Sequence, residues 1–200
     1  MKVQLWGRKT KAIVLAEVLT EMTPQELVQT EARWQEFRTT ATERLRREGV
    51  RVPEHNHWNW EDKSYYLKFT AYRCLGIQYD QEVQGLMMIS TLAAQGRSKE
   101  HRGKPVLYIK YIESAPWNLR DYVGEDARFG GVGVSLIRAA ITVSSEEEFR
   151  GRIALHSLPQ SEQFYRNLFM EDLGIDEEEK LRYFEMTEEQ ALKFIKGGEE

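Results

Sequence analysis

The order of three neighbouring segments constrains the fold more than any other feature of the chain. Val106, Tyr108, Lys110 and Ile112 alternate with Leu107, Ile109, Tyr111 and Glu113 in an extended run that Pro116 stops, as a central strand would. Arg128-Phe129-Gly130-Gly131-Val132-Gly133 then opens Val134 to Ser144, whose Leu136, Ile137, Ala140 and Ile141 share one helical face. The order is strand, glycine-rich turn, helix. Glycines at such a junction let successive backbone N–H groups approach an anion, and the helix start adds the positive end of its dipole. A phosphate or pyrophosphate cradle is one reading and a tight structural turn is the other; the spacing alone does not separate them. The chain has neither Gly-x-Gly-x-x-Gly here nor a following Gly-Lys-Ser/Thr, so the dinucleotide and P-loop fingerprints are absent.

Upstream, Met1 to Trp6 and Lys11 to Leu19 read as a strand or hairpin around the turn-like Gly7 to Thr10. Thr23, Pro24 and Glu26 make a capping-box helix start. That helix runs to about Glu48, with Leu27, Trp34, Phe37, Ala41 and Leu45 on one stripe, Arg33, Arg38, Arg44, Arg46 and Arg47 on the other faces, and Gly49 as its cap. Val50 to Trp60 reads as an ordered aromatic loop and Asp62 to Thr70 as a short helix. Tyr72 to Gln78 and Val83 to Thr91 form an antiparallel hairpin. Arg152 to Leu158 predicts a strand, Pro159 to Leu168 a helix, Leu181 to Met186 a last strand, and Thr187 to Lys196 a closing helix ended by Gly197-Gly198. With neither repeat nor linker, residues 1–200 form a single domain, of which 1–62 are a strand, long-helix and aromatic-loop portion.

Charge and composition exclude several functions. The balance of 28 basic against 32 acidic residues, net −4, provides no positive field for a nucleic-acid backbone, and runs such as Glu199-Glu200 are solvated surface. Gly85 to Ile89, like every other apolar run of the chain, is far short of the ~20 residues of a membrane span. One cysteine, Cys74, and no leader-like start make a reducing cytoplasm the expected compartment.

From Val83 onward the chain resembles the GNAT N-acetyltransferase superfamily. Val83-Gln84-Gly85-Leu86-Met87 and Val106 to Ser114 are similar to the family's paired strands, and Arg128 to Gly133 to its Arg/Gln-x-x-Gly-x-Gly/Ala coenzyme A loop. Arg152 to Ser157 is similar to the next strand, and Phe164-Tyr165-Arg166-Asn167-Leu168 to the helix with the family's tyrosine. Trp117 to Ala127 departs from the pattern by lengthening the link between central strand and loop. The resemblance implies an α/β fold with a mixed, mostly antiparallel central sheet flanked by helices on both faces, and transfer of an acetyl group from acetyl-CoA to an amine. A non-catalytic coenzyme A-binding module is the alternative.

It further implies that the backbone of Arg128, Phe129, Gly130, Gly131, Val132, Gly133 and Val134 holds the pyrophosphate, while Ile112 to Ser114 pair with the pantetheine arm. Tyr165 would protonate the leaving thiolate. An alkyl amine titrates near 10.4, so a base must take its proton, and Glu113 is the carboxylate best placed by sequence. The N-terminal portion and the insertion are left to read a small-molecule or peptide amine, with Trp58, Trp60 and Trp117 as apolar walls and Asn118, like Asn56 and Asn59, as an oriented polar group. A homodimer stays open. No metal is expected: His55-Asn56-His57 lacks a dispersed ligand set, and Cys74 with His156 reads as a buried thiol and a core histidine rather than a nucleophile pair.

Overall fold

A computed structural model describes residues 1–197; Gly198, expected to help end the last helix, and the acidic Glu199 and Glu200 lie outside the described residues. Strands β1 (Lys2–Gly7) and β2 (Ala12–Leu19) form the expected antiparallel hairpin, with Val3 opposite Ala16 and Leu5 opposite Val14. Thr23 Oγ1 accepts the Glu26 amide at 3.2 Å while Glu26 Oε2 accepts the Thr23 amide at 2.7 Å, so helix α1 (Pro24–Arg47) starts at its capping box. Gly49 follows at φ +67°, a conformation that suits glycine. The buried stripe of α1 carries Leu27, Glu31, Trp34, Arg38, Ala41 and Leu45. Arg38, expected on an outer face, is therefore corrected to the core, where it is 2% exposed.

The helix expected over Asp62 to Thr70 is instead α2 (Trp60–Lys63) followed by a 3₁₀ turn over Ser64–Lys68. Asn59 sets that start, its Oδ1 accepting the amides of Glu61 at 2.8 Å and Asp62 at 3.3 Å. Strands β3 (Tyr72–Tyr79) and β4 (Glu82–Gln95) flank Asp80 and Gln81, whose φ values of +50° and +60° are those a right-twisted two-residue hairpin needs. After β5 (Pro105–Ser114) the insertion folds as 3₁₀ turns over Pro116–Asn118 and Gly124–Asp126 around the short α3 (Arg120–Val123). The two-residue β6 (Phe129–Gly130) and α4 (Val132–Glu146) follow. The chain ends in β7 (Ile153–Ser157), α5 (Glu162–Asn167), β8 (Glu171–Ile175), β9 (Arg182–Met186) and α6 (Glu188–Lys196). The helix expected from Pro159 begins only at Glu162, because Pro159–Ser161 is a 3₁₀ turn.

The strand order is β6-β1-β2-β3-β4-β5-β7-β9-β8, with β5 and β7 parallel. This is the expected α/β class: a mixed, mostly antiparallel open sheet flanked by helices. Two units separate by their contacts, residues 1–87 with 112–136 and residues 88–111 with 137 onward. Leu5, Leu27, Trp34, Trp60, Ile77 and Leu86 anchor the core of the first; Ile89, Leu107, Ile137, Ile153, Phe184 and Met186 anchor that of the second. Cys74 is fully buried and burial pushes its thiol up, as an inert structural cysteine requires. No helix among the described residues is long and apolar enough to cross a membrane.

Candidate active site

Long-range pairing sets the shape of the glycine turn. β6 lies antiparallel to β1, Trp6 opposite Gly130 and Gly7 opposite Phe129, and Gly131 then turns at φ +86° into α4. Helix α4 begins two residues before the expected Val134, and its first i to i−4 bond runs from the Ser135 amide to the Gly131 carbonyl at 2.9 Å. The amides of Val132, Gly133 and Val134 thus have no intrahelical acceptor. The Phe129 amide donates to Asn118 Oδ1 at 3.1 Å, so the free amides number fewer than the motif suggests. Gly85 on β4 makes room for both flanks of the site: a Cβ there would stand 2.5 Å from Val132 Cγ1 and 3.3 Å from the Glu113 carbonyl oxygen. The start of α4 and the end of β5 therefore converge on one glycine.

At that end of β5 the parallel register with β7 stops at Ile109 opposite Leu155, five residues before the strand finishes. Ile112 and Ser114 are half-buried, and Glu113 between them is buried at 4% exposure. Glu113 Oε2 accepts from Trp60 Nε1 at 2.7 Å and Oε1 from Arg38 Nη2 at 3.2 Å, with His55 Nε2 3.8 Å away. Arg38 Nη1 donates to Glu31 Oε1 at 3.2 Å and to the Trp58 carbonyl at 2.6 Å, and Glu31 Oε2 accepts the Trp60 amide at 2.9 Å. Burial pushes the Glu113 carboxyl up to about 7 despite Arg38 and Trp60, raises Glu31, and lowers His55 to about 4 and Lys63 below its usual range. Glu113 is thus a carboxylate that exchanges its proton near neutrality. Sequence reasoning missed Glu31, Arg38 and Lys63, although Glu31 and Arg38 stand 4 and 11 residues after Leu27, on its stripe.

The sequence matches no protein-family model and no curated protein. Solved structures do match. The PaiA N-acetyltransferase of Thermoplasma acidophilum, in complex with coenzyme A, superposes with a TM-score of 0.53 at 11% identity, covering 86% of this chain and 98% of that one. A putative GNAT-family acetyltransferase of Desulfovibrio desulfuricans gives 0.52 at 14% identity over 86% and 98%. A GNAT-family acetyltransferase of Listeria monocytogenes gives 0.51 at 12% over 86% and 95%. The fold is that of the GNAT N-acetyltransferases.

Within this GNAT-like fold, Tyr165 lies on α5, 4% exposed, its ring 5.5 Å from Phe184 and 5.1 Å from Phe164. Burial holds its phenol above the usual range, and among the described residues its hydroxyl has no hydrogen-bond partner. Trp60 is fully buried with its Nε1 committed to Glu113, so it braces the carboxylate instead of standing as an open wall. Trp58 is half-buried under Lys63 Nζ, 4.9 Å from its ring. Trp117 Nε1 and Asn118 Nδ2 both donate to Gln84 Oε1, at 2.9 and 3.0 Å, which ties the insertion to β4. A cleft of about 550 Å³ opens between α1 and this insertion. Phe37 and Trp117 form its apolar lining and Arg33, Arg44, Arg47 and Arg128 its basic rim, against Glu36 and Glu82.

Proposed function

We propose that the chain is an N-acetyltransferase that moves an acetyl group from acetyl-CoA to an amine in a ternary complex. The convergence on Gly85 of a left-handed glycine turn and the end of β5 beyond its pairing with β7, in a GNAT-like fold, carries this reading. The amides of Val132, Gly133 and Val134 hold a pyrophosphate, and the backbone of Ile112 to Ser114 pairs with the pantetheine amides. The amine nitrogen forms a bond to the thioester carbonyl carbon as the carbon–sulfur bond breaks, and a strand amide stabilises the oxyanion. Glu113 receives the ammonium proton through water, since Arg38 and Trp60 engage its oxygens. Tyr165 gives its proton to the departing thiolate and regains one from the nitrogen as the amide forms. The cleft beside Trp117 takes the acceptor, and its excess of arginine favours one with a carboxylate or phosphate.

Calorimetry with coenzyme A and thiol release from acetyl-CoA across a panel of amines test this reading. Gly131→Glu is expected to abolish coenzyme A binding, since a side chain at φ +86° strains the turn and a carboxylate repels the diphosphate. Tyr165→Phe should lower turnover by roughly 10² to 10⁴ with unchanged acetyl-CoA affinity. Binding without thiol release to any acceptor would make the chain a non-catalytic coenzyme A-binding module, and unchanged binding in folded Gly131→Glu would overturn the turn's assignment.

A further inference from the structure

Arg128 is the arginine of the motif itself, but its guanidinium is engaged elsewhere. It donates to Glu82 Oε2 at 3.1 Å and lies 5.0 Å over the Trp117 ring, on the rim of the cleft. What Arg128 gives the turn is its carbonyl, which accepts the Arg8 amide at 2.9 Å. Arg8 is the first residue after β1, and the pairing of β1 with β6 brings its side chain onto the motif. A Cβ on Gly130 would stand 3.4 Å from Arg8 Nη2 and 3.7 Å from Cζ, so the guanidinium packs over bare glycine backbone. Its Nε is buried with no hydrogen-bond partner, and no side-chain bond or ion pair ties Arg8 to any described residue.

A guanidinium nitrogen buried without an acceptor is costly, and a multi-oxygen anion is the partner that suits its planar fork. One residue beyond Gly130, the turn leads into the three amides at the start of α4 that have no acceptor among the described residues. Cation and amides thus call for the same ligand. We propose that Arg8, rather than Arg128, is the side chain that holds the diphosphate of coenzyme A at the glycine turn, a proposal that rests on the acetyltransferase reading. The N-terminal hairpin then completes the cofactor site.

Calorimetry of the full chain with coenzyme A and with dephospho-coenzyme A, which keeps the diphosphate and lacks the 3′-phosphate, tests this. Arg8→Gln should weaken both ligands by a similar factor, roughly tenfold to a hundredfold, the size of a lost charge-assisted pair. Arg8→Lys should fall between Gln and the natural residue, because a point charge replaces a fork. Arg128→Gln should cost less than Arg8→Gln, and Lys9→Gln, which removes a neighbouring cation paired at 3.9 Å with Asp126, should leave affinity unchanged. Melting curves accompany every variant. A loss confined to coenzyme A would move Arg8 to the 3′-phosphate and overturn the proposal, as would unchanged affinity in folded Arg8→Gln. Failure of the unaltered chain to bind coenzyme A would overturn the functional reading and this one with it.

Discussion

Each unit of the molecule contains a carboxylate tied to an arginine and set near a histidine, and the two are tuned in opposite directions. In the first, Glu113 is held by Arg38 and Trp60 deep in the core, and the cost of desolvation outweighs both, so the carboxyl rises to about 7. In the second, Asp176 is bonded to Arg97 and accepts the amides of Glu178 at 2.9 Å and Glu179 at 3.2 Å. Its carboxylate also lies 3.2 Å from His156 Nε2, whose Nδ1 is hydrogen-bonded to the Tyr108 hydroxyl at 2.6 Å. Those bonds hold Asp176 well below the usual carboxylate range, with Arg97 the largest cause. The contrast teaches that an ion pair does not decide a carboxylate's role. A carboxylate short of solvation keeps a proton to exchange near neutral pH, whereas one supplied with donors is fixed as an anion and serves as a clamp.

The comparison breaks first at turnover. Glu113→Gln should lower the rate by roughly 10² to 10⁴ with coenzyme A affinity retained, while Asp176→Asn should leave the rate per folded molecule alone. Equal effects would erase the distinction. Next in size, Arg38→Met removes the cation between Glu31 and Glu113 and leaves buried carboxylates uncompensated, for a loss of about 3–5 kcal/mol in denaturant unfolding.

The pH dependence sharpens the same contrast through its sign. Glu113, raised in the folded state, binds more protons folded than unfolded between about 4.5 and 7, so its contribution to stability falls as pH rises through that window, by on the order of 3 kcal/mol. Asp176, lowered in the folded state, contributes stability that is present above about 3.8 and lost as pH falls below it. Glu113→Gln should flatten the near-neutral slope and Asp176→Asn the acid limb, each read from unfolding curves across pH. Smaller again, Tyr108→Phe leaves His156 Nδ1 without its hydroxyl partner and should cost about 1–3 kcal/mol, measurable as a lower unfolding midpoint.

These two sites also mark what the sequence could reveal. Thr23 with Glu26 and Gly49 act through neighbours three or four positions away, and the bounds of α1 follow from them. The alternation of β5 and the turn at Gly131 are equally local, which is why the central strand and the glycine turn were legible. Glu31 and Arg38 were not, because a charged residue on a helix reads as solvent-facing until its partners, 75 positions apart in the case of Arg38 and Glu113, are known. Strand β6, two residues long, has no period to detect, and β8 meets β9 through a register shift between Asp172 and Ile175 that breaks its alternation. Arg8 looked like any turn residue until its place over Gly130 was seen.

The pairing of β6 with β1 also bears on the order in which the chain assembles. Residues 6 and 130 must meet before the turn takes its shape, and a contact so distant in sequence carries a large loop-closure entropy and forms slowly. During synthesis the first hairpin emerges long before its partner, so β1 keeps an open edge until Gly130 arrives to cover two of its positions. The glycine turn is therefore among the last parts of the first unit to mature. A chain started after the first hairpin would keep every residue from Arg128 to Gly133 and lose the strand against which they are shaped.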